Sequence, residues 1–279
     1  MDLLKQMKEI CRIYEISPKR SKGQNFLVTE SIYDKIVSSA EITPEDTIVE
    51  VGPGLGFLTA KLAKQAKKVI AVELDDRLAE VLKIGIDSQG VENVEIVNQD
   101  VLKFNPEDLG KYKIVANIPY NISSILLRTF LGANNKPEMM VLMMQKEVVE
   151  RIVAQAPEMS MLALSVQFYG HPEIIKEVKA GNFWPEPKVD SAILKIKIKE
   201  TKYTREEEKI FFRLAKIGFA AKRKMLKNNL CGGLKLKGDE RKKIDEIFSK
   251  LNFDFKLRAE DLSLENWEEL FAELKRIMV

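Results

Sequence analysis

Apolar runs of strand length recur through the first half of the chain, at TIVEV (47–51), KVIAVEL (68–74), VEIVN (94–98), KIVAN (113–117) and MMVLMMQ (139–145). Segments with helical spacing lie between them, among them FLTAKLAKQA (57–66) and DRLAEVLKIGI (76–86). Near-continuous apolar strands alternating with amphipathic helices predict a parallel sheet covered on both faces, an α/β architecture. SMLALSVQFYG (160–170) reads as one more helix, followed by strand candidates at EIIKEV (173–178) and SAILKIKI (191–198). The second alternates apolar and basic residues, the period-2 pattern of an antiparallel strand with one wet face.

From about residue 200 only helical periods remain, in REEEKIFFRLAKIGFAAKRKMLKNNL (205–230), DERKKIDEIFSKL (239–251) and LENWEELFAELKRIM (264–278). Gly232 and Gly233 separate the first two as a helix stop. The expected organisation is an α/β domain over 1–199 and a small all-helical domain over 200–279. A chain of 279 residues, 45% hydrophobic, suits that division, at roughly 100 to 200 residues per domain. No repeat or low-complexity segment interrupts it.

Composition narrows the setting. The opening MDLLKQMKEICRIYEI is amphipathic and mixed in charge, unlike a signal peptide, and no stretch approaches the ~18 apolar residues of a membrane span. Cys11 and Cys231 lie far apart, without C-x-x-C or histidine neighbours, so neither a disulfide framework nor a metal site is expected. A reducing, cytoplasmic compartment follows. The net charge of +3 says little about partners, but basic residues cluster at SPKRSKGQ (17–24) and AKIGFAAKRKMLKNNL (215–230). Such patches bind polyanions where net charge would not predict it, although KRKMLK (222–227) also fits the solvated face of a helix.

Candidate chemistry begins at EVGPGLG (50–56), between the first strand and the first helix. Open α/β folds bind nucleotides there. Gly52, Gly54 and Gly56 give G-x-G-x-G rather than G-x-G-x-x-G, and Pro53 lacks an amide that a pyrophosphate would use. NAD is therefore disfavoured, and without a G-K-[ST] so is a P-loop. Two acids stand at successive strand ends. Glu73 is placed to accept from both ribose hydroxyls of a nucleoside, and Asp100 to accept from an adenine amine. In this order on a βαβαβ pattern, the set describes S-adenosylmethionine (SAM) held without phosphate contacts, in a Rossmann-like methyltransferase sheet.

The fourth strand ends in NIPYNISS (117–124), where the transferred methyl group would be presented. An adenine N6 amine is a poor nucleophile because its lone pair is delocalised into the ring. Hydrogen bonds accepted from it by the Asn117 side-chain oxygen and by a backbone carbonyl near Ile118 favour a pyramidal nitrogen. Pro119 fixes φ there. Tyr120 offers a ring face, and base stacking contributes about 1 to 3 kcal/mol. No histidine is needed; the single one, His171, reads as a loop residue before Pro172.

GQNFL (23–27), EVGPGLGFLT (50–59), VELD (72–75), NIPYNISS (117–124) and FWPEPKVDSA (183–192) resemble, in order and spacing, the motifs of the ribosomal RNA adenine N6,N6-dimethyltransferase family. The resemblance covers nearly the whole chain, and GPGLGFLT with AAKRKMLKNNL is most similar to the small-subunit housekeeping branch. It implies that Asn25, Leu27 and Gly52 contact the methionine end of the cofactor, with Gln24 and Gly54 also in the cofactor-binding set. Glu73 would hold the ribose, Asp100 the adenine amine, and Asn117 would lie between cofactor and target base. Phe183 would stack on a flipped adenine opposite Tyr120, and the prolines beside Phe183 and Trp184 suggest a stiff, exposed presentation. The implied substrate is a pair of adjacent adenosines in the 3'-terminal hairpin of 16S rRNA within assembling 30S subunits, for which a monomer suffices. Erm-type specificity for 23S rRNA and a non-catalytic RNA-binding or transcription-factor role are the alternatives.

Overall fold

The computed structural model describes residues 2–18 and 24–278. Residues 19–23 of the basic stretch, with Gly23 of the first motif, lie outside the described residues. The chain opens with α1 (Leu3–Ile13), whose apolar stripe buries Met7 and Cys11. It continues through a two-residue strand, β1 (Phe26–Leu27), and α2 (Glu30–Ser39).

Five strands then alternate with helices: β2 (Thr47–Val51), α3 (Phe57–Ala63), β3 (Lys68–Glu73), α4 (Asp76–Ser88), β4 (Val94–Asn98), β5 (Lys113–Asn117), α5 (Ser123–Leu131) and β6 (Met139–Gln145). Their strands are mutually parallel. β2, β3, β5 and β6 are buried almost throughout, as strands packed on both faces must be, and Met143 and Met144 are wholly inside. After α6 (Lys146–Val153) and α7 (Met161–Tyr169) come β7 (Gly170–Val178), β8 (Phe183–Trp184) and β9 (Ser191–Ile198).

The large sheet has the order β4-β3-β2-β5-β6-β9-β7, with β9 antiparallel to both neighbours, while β1 pairs with β8 apart from it. The chain leaves β2 in one direction through β3 and β4, then returns to build the other direction from β5. That reversal opens a crevice beyond the carboxyl ends of β2 and β5.

Two sequence readings change here. β9 has no regularly wet face: Lys195 is only 5% exposed, covered at the sheet and neutralised by the Glu41 carboxylate. His171 is not in a loop but on exposed β7, in register with Lys197.

The chain forms two compact units, 1–150 with 170–199 and 151–169 with 200–279. The second unit thus takes in a segment that a single break at residue 200 would leave in the first. Aromatic packing accounts for this. Phe168 stacks on Phe211 and Tyr203, at centroid distances of 4.5 Å and 5.5 Å, and Tyr169 donates its hydroxyl to buried Glu208 at 3.1 Å.

The rest of that unit is α8 (Arg205–Gly218), α9 (Leu226–Gly233), α10 (Asp239–Lys250) and α11 (Leu264–Met278). Thr204 and Glu207 form a reciprocal capping box at the start of α8. The helical period over 205–230 is interrupted: buried Asn229 donates to the carbonyls of Gly218 (2.6 Å) and Ala221 (3.1 Å), satisfying the end of α8. Lys222, Arg223 and Lys224 consequently stand in a turn and not on a helix face. Gly232 and Gly233 lie inside α9; a Cβ on Gly233 would be 2.4 Å from Ile217, so close approach to α8 requires glycine there.

Candidate functional site

A cavity opens at the crevice, lined by the β2–α3 turn, the ends of β3 and β5, and the segments around β1 and β8. Gly52, Gly54 and Gly56 all have positive φ, of 64°, 58° and 84°, as the tight turn requires. A Cβ on Gly56 would approach Leu82 of α4 to 2.5 Å, which fixes how closely this turn meets the next helix.

The turn's amides are largely occupied within the protein. Gly52 donates to the Val72 carbonyl at 3.0 Å, Gly56 to the Pro53 carbonyl at 3.0 Å, and Gly54 to Glu73 Oε2 at 3.1 Å; Pro53 has no N–H. A pyrophosphate would find few donors. Glu73, 6% exposed, also accepts from Asp75 N at 2.9 Å through Oε1. A carboxylate has about four lone-pair sites, so capacity remains for a ligand hydroxyl beside the backbone donors of Gly54, Asp75 and Leu74. Burial pushes the carboxyl above its usual range, against the lowering effect of those amides.

Opposite stands the fourth-strand motif. Asn117 Nδ2 reaches the Asn25 carbonyl at 3.4 Å, which leaves Oδ1 to accept from a ligand. Ile118 is buried and donates its amide to Met143 O at 3.1 Å, extending the β5–β6 pairing past the strand. A Cβ on Gly52 would lie 3.6 Å from Pro119 Cδ, so the glycine turn and the Asn-Ile-Pro-Tyr motif are immediate neighbours. Tyr120, on a short 3-10 turn, bonds Ser191 Oγ at 2.8 Å, and burial raises its hydroxyl pKa.

The β1–β8 ladder joins two motifs far apart in sequence, setting Leu27 opposite Phe183 and Phe26 opposite Trp184. Phe183 is 4% exposed, so the expected exposed presentation does not hold for it. Its ring packs into the core with Met7, Leu27 and Ile193 while lining the cavity.

Of the residues singled out from the sequence, Gln24, Asn25, Leu27, Gly52, Gly54, Glu73, Asn117, Ile118, Tyr120 and Phe183 all line this cavity. Asp100 is not in its lining; its carboxylate caps the 3-10 turn Val101–Lys103 by accepting from Leu102 N at 2.9 Å. The sequence reading missed Met7, Tyr33, Glu50 and exposed Leu74 in the wall. Glu50 had a signal, an acid inside an apolar strand. It is 1% exposed, its Oε2 has no hydrogen-bond partner among the described residues, and burial beside Glu73 pushes its pKa up to about 8.

A parallel sheet with a glycine turn, a strand-end carboxylate and an Asn-Ile-Pro-Tyr wall around one cavity defines a Rossmann-like methyltransferase. Comparison with known proteins resolves the class further. The profile described as Ribosomal RNA adenine dimethylase matches residues 16–275, and the chain belongs to that family of rRNA adenine dimethyltransferases. It is 44% identical over 276 residues to a Ribosomal RNA small subunit methyltransferase A of Dehalococcoides mccartyi, covering 97% of this chain and 93% of that one. A protein of the same description from Bacillus pumilus is 37% identical over 282 residues, covering 97% and 96%. Among solved structures, a dimethyladenosine transferase from Plasmodium falciparum superposes with a TM-score of 0.78 at 28% identity, covering 89% of this chain and 96% of that chain. The 23S rRNA methyltransferase ErmE gives 0.75 at 26% identity, covering 90% and 100%. Among the described residues no helix is long and apolar enough to cross a membrane.

Proposed function

We propose that this protein uses S-adenosylmethionine to dimethylate N6 of two adjacent adenosines in the 3'-terminal hairpin of 16S rRNA, within assembling 30S subunits in the cytoplasm. The observation that carries the reading is that the Gly54–Glu73 cradle and the Asn117–Tyr120 wall line one cavity.

The residues present suit the cofactor. Glycines of positive φ admit a ligand against the backbone, the turn's own hydrogen bonds disfavour phosphate, and buried Glu73 retains acceptor capacity for a hydroxyl. Gln24, Asn25, Leu27, Gly52 and Gly54 would hold the methionine end and Glu73 the ribose. Asp100, outside the cavity wall, would reach the adenine amine only at its rim. Bound there, SAM supplies an electrophilic methyl group on a sulfonium.

The chain's own residues act on the base. Asn117 Oδ1 and the Ile118 carbonyl accept hydrogen bonds from N6 and orient its lone pair. Pro119, at φ −56°, holds that carbonyl in place. Tyr120 and Phe183 provide apolar ring faces for an unstacked adenine. After transfer the N6 ammonium is acidic enough to lose its proton to water, which fits a cavity wall without histidine. The helical unit would bind rRNA phosphates, with exposed Arg223 and Lys224 the strongest candidates.

Small-subunit rRNA is favoured over 23S because relatives 44% and 37% identical over nearly the whole chain carry the small-subunit description, against 26% for the 23S structure. The test is methyl transfer from labelled SAM to unmethylated 30S subunits and, separately, to protein-free 23S rRNA, with mass spectrometry of the digested nucleosides. Dimethyladenosine from 30S alone is expected. Label in 23S rRNA would make the protein Erm-type, and none in either would point to a non-catalytic RNA-binding role.

A further inference from the structure

Ser191 occupies the first position of β9, in register with Gln145 of β6 and Val178 of β7, and is completely buried. A hydroxyl taken out of water at such a junction is unfavourable unless hydrogen-bonded. Its side-chain partner is the Tyr120 hydroxyl, at 2.8 Å.

The two ends of this bond differ in how firmly they are held. Next to Ser191, the Asp190 carboxylate accepts from Ala180 N at 3.0 Å and Lys179 Nζ at 2.8 Å, and the Asp190 carbonyl accepts from Lys146 N at 3.0 Å. Ser191 is thereby pinned where three strands meet. Tyr120 instead lies half-buried on the single 3-10 turn Tyr120–Ile122, beyond the end of β5. Its ring can swing about χ1 unless its tip is held. Burial raises the pKa of the phenol, which favours the protonated form that can donate.

We propose that Ser191 is a positioning residue for base recognition: by holding the Tyr120 hydroxyl, it fixes χ1 and so the place of the ring against which the target adenine stacks. This rests on the reading of Tyr120 as a base platform. Ser191 does not line the cavity, so any influence on the base passes through Tyr120. A ring fixed before the base arrives spends no rotational freedom on binding, and small misplacements of such groups are costly. The motif VDSA (189–192) thus acquires a role distinct from that of the aromatic that precedes it.

The experiment is a double-mutant cycle with Ser191→Ala, Tyr120→Phe and their combination. The single-turnover rate of methyl transfer to unmethylated 30S subunits is measured alongside SAM affinity and the thermal midpoint. Ser191→Ala is expected to slow transfer about five- to tenfold, the equivalent of one net hydrogen bond, with SAM affinity unchanged. Tyr120→Phe should cost a similar factor, and the double variant no more than either single one. A Ser191→Ala enzyme at the wild-type rate, or a loss that adds in full to that of Tyr120→Phe, overturns the proposal. Tyr120→Ala separates the two levels. If it leaves transfer intact, the platform reading falls and the proposal with it. If it abolishes transfer while Ser191→Ala does nothing, the positioning role alone is lost.

Discussion

The backbone N–H of Gly54 donates to Glu73 Oε2 across 3.1 Å, tying the carboxylate at the end of β3 to the turn that follows β2. The bond joins the two walls that would hold a nucleoside, and Asp75 N braces the other oxygen at 2.9 Å. Hydrogen bonds to a charged group contribute about 1.5 to 3 kcal/mol. Glu73→Ala should therefore weaken SAM binding roughly ten- to hundredfold by that scale, read by titration calorimetry. Equal affinity would count against the ribose assignment.

Asn117 stands on the side of the target base, with its Nδ2 directed to the Asn25 carbonyl. Asn117→Ala should lower methyl transfer by about 100-fold or more, the scale for deleting a preorganised polar group at the reacting atom. SAM affinity should stay largely intact. Undiminished single-turnover rates would sink the assigned role.

Glu50 makes the folded state sensitive to pH. Free in the unfolded chain its carboxyl titrates near 4.5, whereas burial in the fold moves it to about 8. Between those values the folded state keeps a proton that the unfolded state releases. Its contribution is fully present below pH 4.5 and is lost as pH rises towards 8, with a slope of up to about 1.4 kcal/mol per pH unit. Glu50→Gln, which stays uncharged, should flatten this decline. Urea denaturation of both proteins from pH 5 to pH 9, without cofactor, would show it; parallel curves would refute it.

Gly56 has φ +84°, and a Cβ there would lie 2.5 Å from Leu82 Cδ1. Gly56→Ala should destabilise the protein by about 1 to 3 kcal/mol through backbone strain and overpacking. A thermal midpoint within a degree of wild type would show that the turn relaxes freely.

Arg223 and Lys224 are exposed in the turn before α9. Replacing both by alanine should weaken rRNA binding and reduce the slope of log K against log salt by about 2, near one unit per phosphate contact. SAM affinity measured in parallel should not move. An unchanged salt slope would exclude these two residues from the RNA surface.

The strand pattern was legible because its causes are local. Apolar runs such as TIVEV and MMVLMMQ match β2 and β6 residue for residue, since a strand buried on both faces reads as a near-continuous apolar run, with Glu50 the buried acid that interrupts it in β2. The glycine turn, Glu73 and Asn117 were legible for a related reason. Each stands at a strand end, and in a parallel sheet those ends converge on one crevice.

Elsewhere the sequence pattern pointed away from what folding produced. Lys195 reads as solvent-facing, yet it is buried in the sheet, and its ammonium is met by the exposed Glu41 carboxylate from the distant loop after α2. The helical period through 205–230 does not foresee that Asn229 will fold back onto the carbonyls of Gly218 and Ala221. Residues 151–169 read as part of the first domain, although the rings of Phe168 and Tyr169 pack with Phe211 and Phe212.

The sequence by itself therefore determined the elements, the class of sheet and most of the residues around the cavity, because periodicity and turn chemistry act over a few residues. Only the tertiary structure decided that Leu27 faces Phe183, that Phe183 is buried, that Asp100 stays out of the wall and that Ser191 holds Tyr120. Those outcomes depend on register between segments far apart in the chain, which is set by the shared burial of their side chains and leaves no trace in the local pattern of either.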